Sequence, residues 1–182
     1  MKKIISALLF VSLILHSRCG PIISNINVEK IDYNNIKDVN EIKVLTKDNK
    51  HYRFKEFEFT DSHIIGQKFR FNPNGWEKSQ IALIDVQLIV IYGAYDIYGK
   101  EISNSELKKS ISTYNRYLLG FLGYTIGGFY GIFGLRSLGS PIATGWIGGV
   151  SLGFAGYKMG MKLDKQNGVE NIHKRQKSID KE

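Results

Sequence analysis

The chain has 182 residues, of which 43% are hydrophobic and 12% aromatic. This length fits one domain, or one small domain with appendages, and the composition excludes an intrinsically disordered chain because enough apolar residues are present to form a core. The formal net charge is +8, of which Lys2, Lys3 and Arg18 supply three, and residues 20–99 are nearly neutral with ten bases and eleven acids. The remaining excess lies in residues 100–116, at Arg136 and from Lys158 onward. No nucleic-acid recognition motif accompanies this charge, so a nucleic acid is not expected as a partner.

Residues 1–19 have the organisation of an export signal peptide. Two lysines precede an apolar run over residues 4–15, which is shorter than the roughly 20 residues that a membrane-spanning helix needs. Cys19 follows and is the only cysteine, so no disulfide can form within this sequence. Its position resembles the lipid-attachment site of bacterial lipoproteins, which implies acylation of Cys19. Arg18 replaces the small residue of that family, and ordinary cleavage before Gly20 stays open.

Residues 20–40 are rich in asparagine and weakly patterned, which predicts a tether with one strand near Ile26–Ile31. From Glu41 onward apolar and polar residues alternate, which is the period of half-buried strands. Polar clusters at 47–50 and 60–62 are typical of turns. The pattern predicts strands at Ile42–Thr46, His51–Phe59 and His63–Phe71.

The second of these strands changes phase in its middle. Tyr52 and Phe54 lie on one parity, whereas Phe57 and Phe59 lie on the other. A single extra residue in a strand produces this shift, so the sequence predicts a β-bulge at 55–56.

Residues 80–92 predict a strand, a break around Asp85 and a second strand whose continuous apolar run, Leu88–Tyr92, favours a central or doubly covered position. Residues 41–98 therefore predict a small antiparallel all-β domain. The bulged strand favours a barrel-like or curled sheet, because curvature requires such bends. A core of about 55 residues is marginal in stability, so we expect it to be supported by the membrane segment or by a partner.

Residues 100–116 change to a helical period. Ser103 and Glu106 have the spacing of a capping box, which predicts an amphipathic connector helix. The fold class expected for the whole chain is therefore α+β: a β domain, this connector, and the glycine-rich stretch that follows.

Residues 117–157 contain a single charge, Arg136, which divides them into uncharged runs of nineteen and twenty-one residues. Each run is long enough to cross a bilayer, and the Gly-Ser-Pro sequence at 139–141 supplies a helix end and a helix start. The pattern predicts a transmembrane-type helical hairpin over 117–163, followed by a basic solvated tail over 164–182.

Glycine recurs on one face of each predicted helix. At 100° per residue the glycines of each run fall within a narrow arc, with repeated GxxxG spacing. In lipid, helices associate through close backbone contact, which glycine permits. The residues predicted to pack the helices together are Gly120, Gly123, Gly127, Gly131, Gly134, Gly145, Gly149, Gly153, Gly156 and Gly160.

This hairpin resembles the glycine-zipper segments of bacterial envelope proteins, and the complete layout resembles short envelope lipoproteins with a small β domain. The resemblance implies a location in the bacterial cell envelope, with the β domain outside the cytoplasm, and implies no enzymatic activity. Export places basic residues at both hairpin ends outside the cytoplasm, against the positive-inside tendency. Assembly after export, another membrane and a cytoplasmic β domain remain the alternatives.

No sequence pattern predicts a catalytic, cofactor or metal site. The histidines His16, His51, His63 and His173 lack ligand spacing, although His51 and His63 begin consecutive strands and could approach each other. Glu56 and Glu58 are two residues apart but alternate with aromatics, as on a solvated strand face. Trp76 and the tyrosines of 92–99 are interpreted first as packing residues, and second as a peptide or glycan contact or as residues near lipid headgroups.

Two functional hypotheses follow from these patterns. The first is a non-enzymatic, membrane-anchored envelope protein whose β domain binds an envelope partner and whose hairpin anchors it in lipid and supports self-association. The second is a membrane-active or pore-forming oligomer in which glycine stripes pack identical hairpins into a ring.

Overall fold

The computed structural model describes residues 21–69, 75–134 and 140–180. They belong to two compact units. The sheet unit contains Pro21–Ser110 together with the chain from Val169 onward, and the helical unit contains Ile111–Gly168. The predicted α+β class is confirmed at this level. The signal segment 1–19, with Cys19, lies outside the described residues.

The sheet unit is built on six antiparallel strands in the order β1-β6-β2-β3-β4-β5. The turns predicted at 47–50 and 60–62 and the break around Asp85 lie between strands, as expected. Strands β1 and β5 form the two edges, so the sheet is open and the barrel-like alternative is wrong. Their bounds are β1 Ile23–Ile26, β2 Glu41–Thr46, β3 His51–Phe59, β4 His63–Phe69, β5 Trp76–Ala82 and β6 Val86–Tyr92.

The predicted bulge in β3 is confirmed. The β3–β4 register shifts within residues 55–58, and Glu56 has a positive φ of 46°. Gly66 on β4 makes room for it, because a Cβ there would lie 2.9 Å from the Cβ of Phe57. The shift brings Phe57 to the same side of the sheet as the fully buried Phe54, so both contribute to the core.

One face of the sheet carries the core, and part of the predicted tether covers it. Within 20–40, strand β1 begins earlier than the predicted Ile26–Ile31, a 3-10 helix follows at Tyr33–Ile36, and Ile36 is fully buried in the core. Asp32 caps this helix by accepting a hydrogen bond from the backbone N–H of Asn34. Strand β6 lies between β1 and β2, which confirms its predicted central position.

Three α-helices are described: α1 Asn104–Ser110, α2 Tyr114–Gly134 and α3 Pro141–Ile179. The predicted connector over 100–116 is shorter than expected and ends at Ser110. The predicted solvated tail over 164–182 is helical as far as Ile179. The reason is that Val169 and Ile172, three residues apart on one helix face, are 1% and 4% exposed in the sheet unit.

Candidate functional site

Glycine occupies the positions where α2 and α3 approach each other most closely. A Cβ added to Gly127 would overlap the carbonyl oxygen of Gly148, and one added to Gly131 would overlap that of Thr144. Any side chain here would force the backbones apart, so these glycines permit the contact. The other predicted glycines that would meet the opposing helix within 4 Å are Gly120, Gly123, Gly145, Gly149, Gly153, Gly156 and Gly160.

Two glycines differ from the prediction. A Cβ at Gly134 would meet only the ring of Tyr130 on its own helix. Gly148, which was not predicted, lies against the carbonyl of Gly127. It falls outside the arc drawn for a single straight helix, because the line of contact drifts around each helix when two helices cross.

The large apolar side chains of the helical unit point away from this contact. Phe121, Phe129 and Phe133 of α2 are 66%, 67% and 74% exposed, and Trp146 and Phe154 of α3 are 61% and 63% exposed. Gly127 and Gly131, by contrast, are buried. A helix of a water-soluble protein turns its large apolar residues inward. In the helical unit the arrangement is the reverse.

Helix α2 is also the one described helix that is long and apolar enough to cross a membrane by length and composition. Little of its span is buried against protein. Helix α3 does not meet that criterion, although the sequence predicted two membrane-crossing helices. From Lys158 onward it is rich in charged residues, such as Lys162 and Lys165.

Asp164 on α3 binds the first residues of α2 at one end of the helical unit. Its side chain is fully buried and accepts hydrogen bonds from the backbone N–H groups of Asn115 and Arg116, at 3.0 and 3.2 Å. The guanidinium Nε of Arg116 adds an ion pair at 3.0 Å. A carboxylate on α3 therefore caps the first turn of α2 and complements the positive end of its dipole. Local spacing rules could not find this cap, because donor and acceptor are 48 or 49 residues apart.

The candidate polar residues do not assemble into a recognised reaction centre. His51 and His63 lie at opposite ends of the β3–β4 ladder, so they do not approach each other. His173 shares a hydrogen bond of 2.7 Å with the carbonyl oxygen of Tyr95. No group of three or more His, Cys, Asp or Glu suited to a metal occurs within 21–69, 75–134 and 140–180. Glu56 and Glu58 line one shallow hollow.

The open face of the sheet, opposite the core, carries alternating cations and aromatic rings. Arg53 lies 5.6 Å from the ring centre of Phe69 and 5.7 Å from that of Trp76, and Lys55 lies 4.8 Å from Trp76. Glu41 holds the Arg53 guanidinium through two contacts, of which the Nη2–Oε2 distance is 2.7 Å. Trp76 therefore stands among cations on an accessible face, rather than in the core.

The final turns of α3 contribute to the sheet unit. Gln176 accepts a hydrogen bond from the backbone N–H of Ile97 and donates one to Asp96. Asp180 accepts from the hydroxyl of Tyr98 at 2.6 Å and forms an ion pair with Lys30. These contacts, led by the Lys30 hydrogen bond, hold the pKa of the Asp180 carboxyl below its usual range.

Comparison with known proteins adds no identification. No protein-family model matches the chain, and neither a curated protein nor a solved structure is significantly similar to it.

Proposed function

We propose that this protein is a non-enzymatic, membrane-anchored protein of the bacterial cell envelope. The helical unit is the anchor, and the sheet unit is the module that meets an envelope partner. The observation that carries the proposal is the reversed burial of the helical unit, with glycine inside and phenylalanine and tryptophan outside. In water this outward apolar surface would be unfavourable, whereas in lipid it needs no cover.

The glycine-zipper hairpin of this proposal packs within one chain. Gly127, Gly131 and Gly156 each meet backbone atoms of the neighbouring helix of the same chain. Self-association would then use the outer faces of the helices. This favours the anchor over the alternative of a pore-forming ring, in which the same glycine stripes must join different chains.

Export of the sheet unit by the signal peptide 1–19 is part of the proposal. Either Cys19 is acylated or the chain is cleaved before Gly20, and both outcomes leave the sheet unit outside the cytoplasm. Metabolic labelling with palmitate separates them, with Cys19→Ser as the control. Absence of any label that depends on Cys19 would exclude acylation at that thiol.

The decisive experiment is fractionation of cells that express the full chain, combined with protease digestion of intact and lysed cells. We expect the protein to stay in the membrane pellet after alkaline carbonate washing, and the sheet unit to be digested only where the protease reaches its compartment. Release into the soluble fraction would contradict the anchor. Protection that persists until the cytoplasmic membrane is broken would place the sheet unit in the cytoplasm.

Vesicle leakage distinguishes the anchor from the pore. An anchor predicts that the full chain causes no leakage of trapped dye, and that the double variant Gly127→Leu, Gly131→Leu loses helix packing without any change in leakage. Leakage by the parent that disappears in the double variant would support the pore-forming alternative instead.

A further inference from the structure

An apolar groove runs along one side of the helical unit, beside the glycine contact. It consists of two hollows of about 320 and 440 Å³ that meet at Tyr124, which lines both. The first hollow lies between Gly128 and Trp146, and the second between Gly120 and Phe154. Both volumes lie in the range of small-molecule sites, and most of the accessible lining is apolar.

Glycine gives the groove its depth, and aromatic rings form its walls. A Cβ added to Gly128 would find its nearest atom, the carbonyl oxygen of Gly145, at 3.9 Å, so the space above Gly128 is open. Tyr124 and Trp146 pack edge to face with ring centres 6.3 Å apart, and both line the first hollow. The groove therefore accepts a slender apolar chain.

Positive charge collects at one end of this groove. Arg116 lines the second hollow, and the Nζ of Lys158 lies 5.3 Å from the centre of the Phe154 ring on its wall. Lys162 and Lys165 follow at helical spacing on the same face of α3 as Lys158. The buried Asp164 is already paired with Arg116, so this end keeps an excess of cations.

The groove is long as well as slender. From Arg116 to Ile132 it follows sixteen residues of α2, which is about 24 Å at 1.5 Å per residue. One leaflet of the hydrocarbon core is about 15 Å thick, so a lipid chain that starts at Arg116 fits within this length. A second copy of the helical unit fits less well, because two copies inserted in the same direction would bring their lysines together.

We propose that this groove binds one acyl chain of an anionic phospholipid, with the headgroup phosphate held by Lys158. The proposal rests on the membrane-anchored function and adds a defined lipid class at a defined place. The apolar lining accounts for the chain, and the cations at one end account for the charge of the headgroup.

Trp146 reports directly on the occupant. The chain contains two tryptophans, so Trp76→Phe leaves Trp146 as the one indole in the protein. This full-length variant is placed in phosphatidylcholine vesicles that contain a small fraction of lipid brominated on its acyl chains. The brominated lipid is phosphatidylglycerol in one series and phosphatidylcholine in the other. Bromine quenches the fluorescence of an indole that it contacts.

We expect brominated phosphatidylglycerol to quench Trp146 more effectively than brominated phosphatidylcholine. The fraction of brominated lipid needed for equal quenching should be at least five-fold lower for phosphatidylglycerol. Lys158→Gln, a change at an exposed position, should reduce that preference about five-fold, which corresponds to roughly 1 kcal/mol per basic residue near an anionic surface. Gly128→Leu fills the groove and should abolish the preference. Gly128→Ala is the matched control, since its methyl group leaves the groove open.

The outcomes separate the inference from the function on which it rests. Equal quenching by both brominated lipids would overturn the groove site while leaving the anchor in place. A preference lost in Lys158→Gln but kept in a folded Gly128→Leu would mean headgroup attraction alone and would also overturn it. Absence of quenching by either lipid would contradict membrane insertion, and with it the proposed function.

Discussion

Gly127 and Gly128 are neighbours in the sequence but occupy opposite environments. A methyl group on Gly127 would collide with the carbonyl oxygen of Gly148, whereas one on Gly128 would come no closer than 3.9 Å to any atom outside its own helix turn. A glycine-to-alanine change therefore tests helix packing at position 127 and intrinsic helix propensity at position 128.

Gly127→Ala should weaken the contact between α2 and α3, and Gly128→Ala should strengthen α2. Alanine is favoured over glycine in a helix interior by about 0.8–1.0 kcal/mol, a gain that only the second variant keeps. Thermal unfolding in detergent micelles, followed by circular dichroism, should show a lower midpoint for Gly127→Ala and an unchanged or higher one for Gly128→Ala. Equal shifts for both variants would contradict the close contact.

Glu56 is a second residue whose backbone environment decides its behaviour. Its φ of 46° lies in the left-handed region, which costs a residue with a side chain roughly 1–2 kcal/mol. Glu58, two residues later on the same strand, pairs regularly with Ile65. We therefore expect Glu56→Gly to be neutral or stabilising and Glu58→Gly to destabilise by about 0.5–1 kcal/mol.

Urea unfolding monitored through Trp76 fluorescence measures both glycine variants. The Trp146→Phe background makes Trp76 the one indole and removes the signal of the helical unit. A larger loss in Glu56→Gly than in Glu58→Gly would show that the Glu56 side chain, through its hydrogen bond to Gln67, outweighs the backbone strain.

At the scale of elements, the last part of α3 behaves as a component of the sheet unit. Ile172 is 4% exposed, and the neighbouring residues donate to and accept from the segment 95–98. Ile179, one residue before the end of the described chain, is 71% exposed. These two isoleucines distinguish a docked helix from the solvated tail that the sequence predicted.

Ile172→Ala should lower the free energy of unfolding of the sheet unit by about 2–5 kcal/mol, the usual cost of truncating a buried isoleucine. Ile179→Ala should stay within about 0.5 kcal/mol of the parent, as surface substitutions do. Urea unfolding with Trp76 as the reporter measures both. A neutral Ile172→Ala would mean that this segment does not contribute to the sheet unit in solution.

The parts of the fold that the sequence predicted correctly are those set by local pattern. The period-two alternation placed β2, β3 and the start of β4, and the parity change located the bulge near Glu56. The tether and the tail differ from the prediction because both contact distant residues: Lys30 pairs with Asp180, 150 residues away. Gly148 lies against the carbonyl of Gly127 but was not among the glycines predicted to pack the helices, since helix crossing is not encoded in a single helix's period.

At the scale of the whole molecule, acid should loosen the attachment of the last turns of α3. Lys30 and Tyr98 hold the pKa of Asp180 below its ordinary value. A carboxyl whose pKa is lower in the folded state contributes stability above its unfolded pKa, about 3.9, and loses that contribution as pH falls through the folded value. Asp180 therefore stabilises the sheet unit at neutral pH but not in strong acid.

The difference in unfolding midpoint between the parent and Asp180→Asn should accordingly be largest near pH 7 and shrink below about pH 3.9. Asp61→Asn, in the exposed turn 60–62, removes the same charge and serves as the control. A difference that stays constant between pH 7 and pH 3 would show that Asp180 does not act through its charge.

Helix α3 belongs to both units, and this has a consequence for the order in which the chain can mature. Residues 21–110 emerge from the ribosome before the helical unit, yet Val169 and Ile172, which help to complete the sheet unit, follow it. Contacts of such high sequence separation form late and slow folding. The sheet unit therefore cannot acquire its contacts with Val169 and Ile172 until 111–168 has been synthesised, so completion of its core requires the whole helical unit to have been made first.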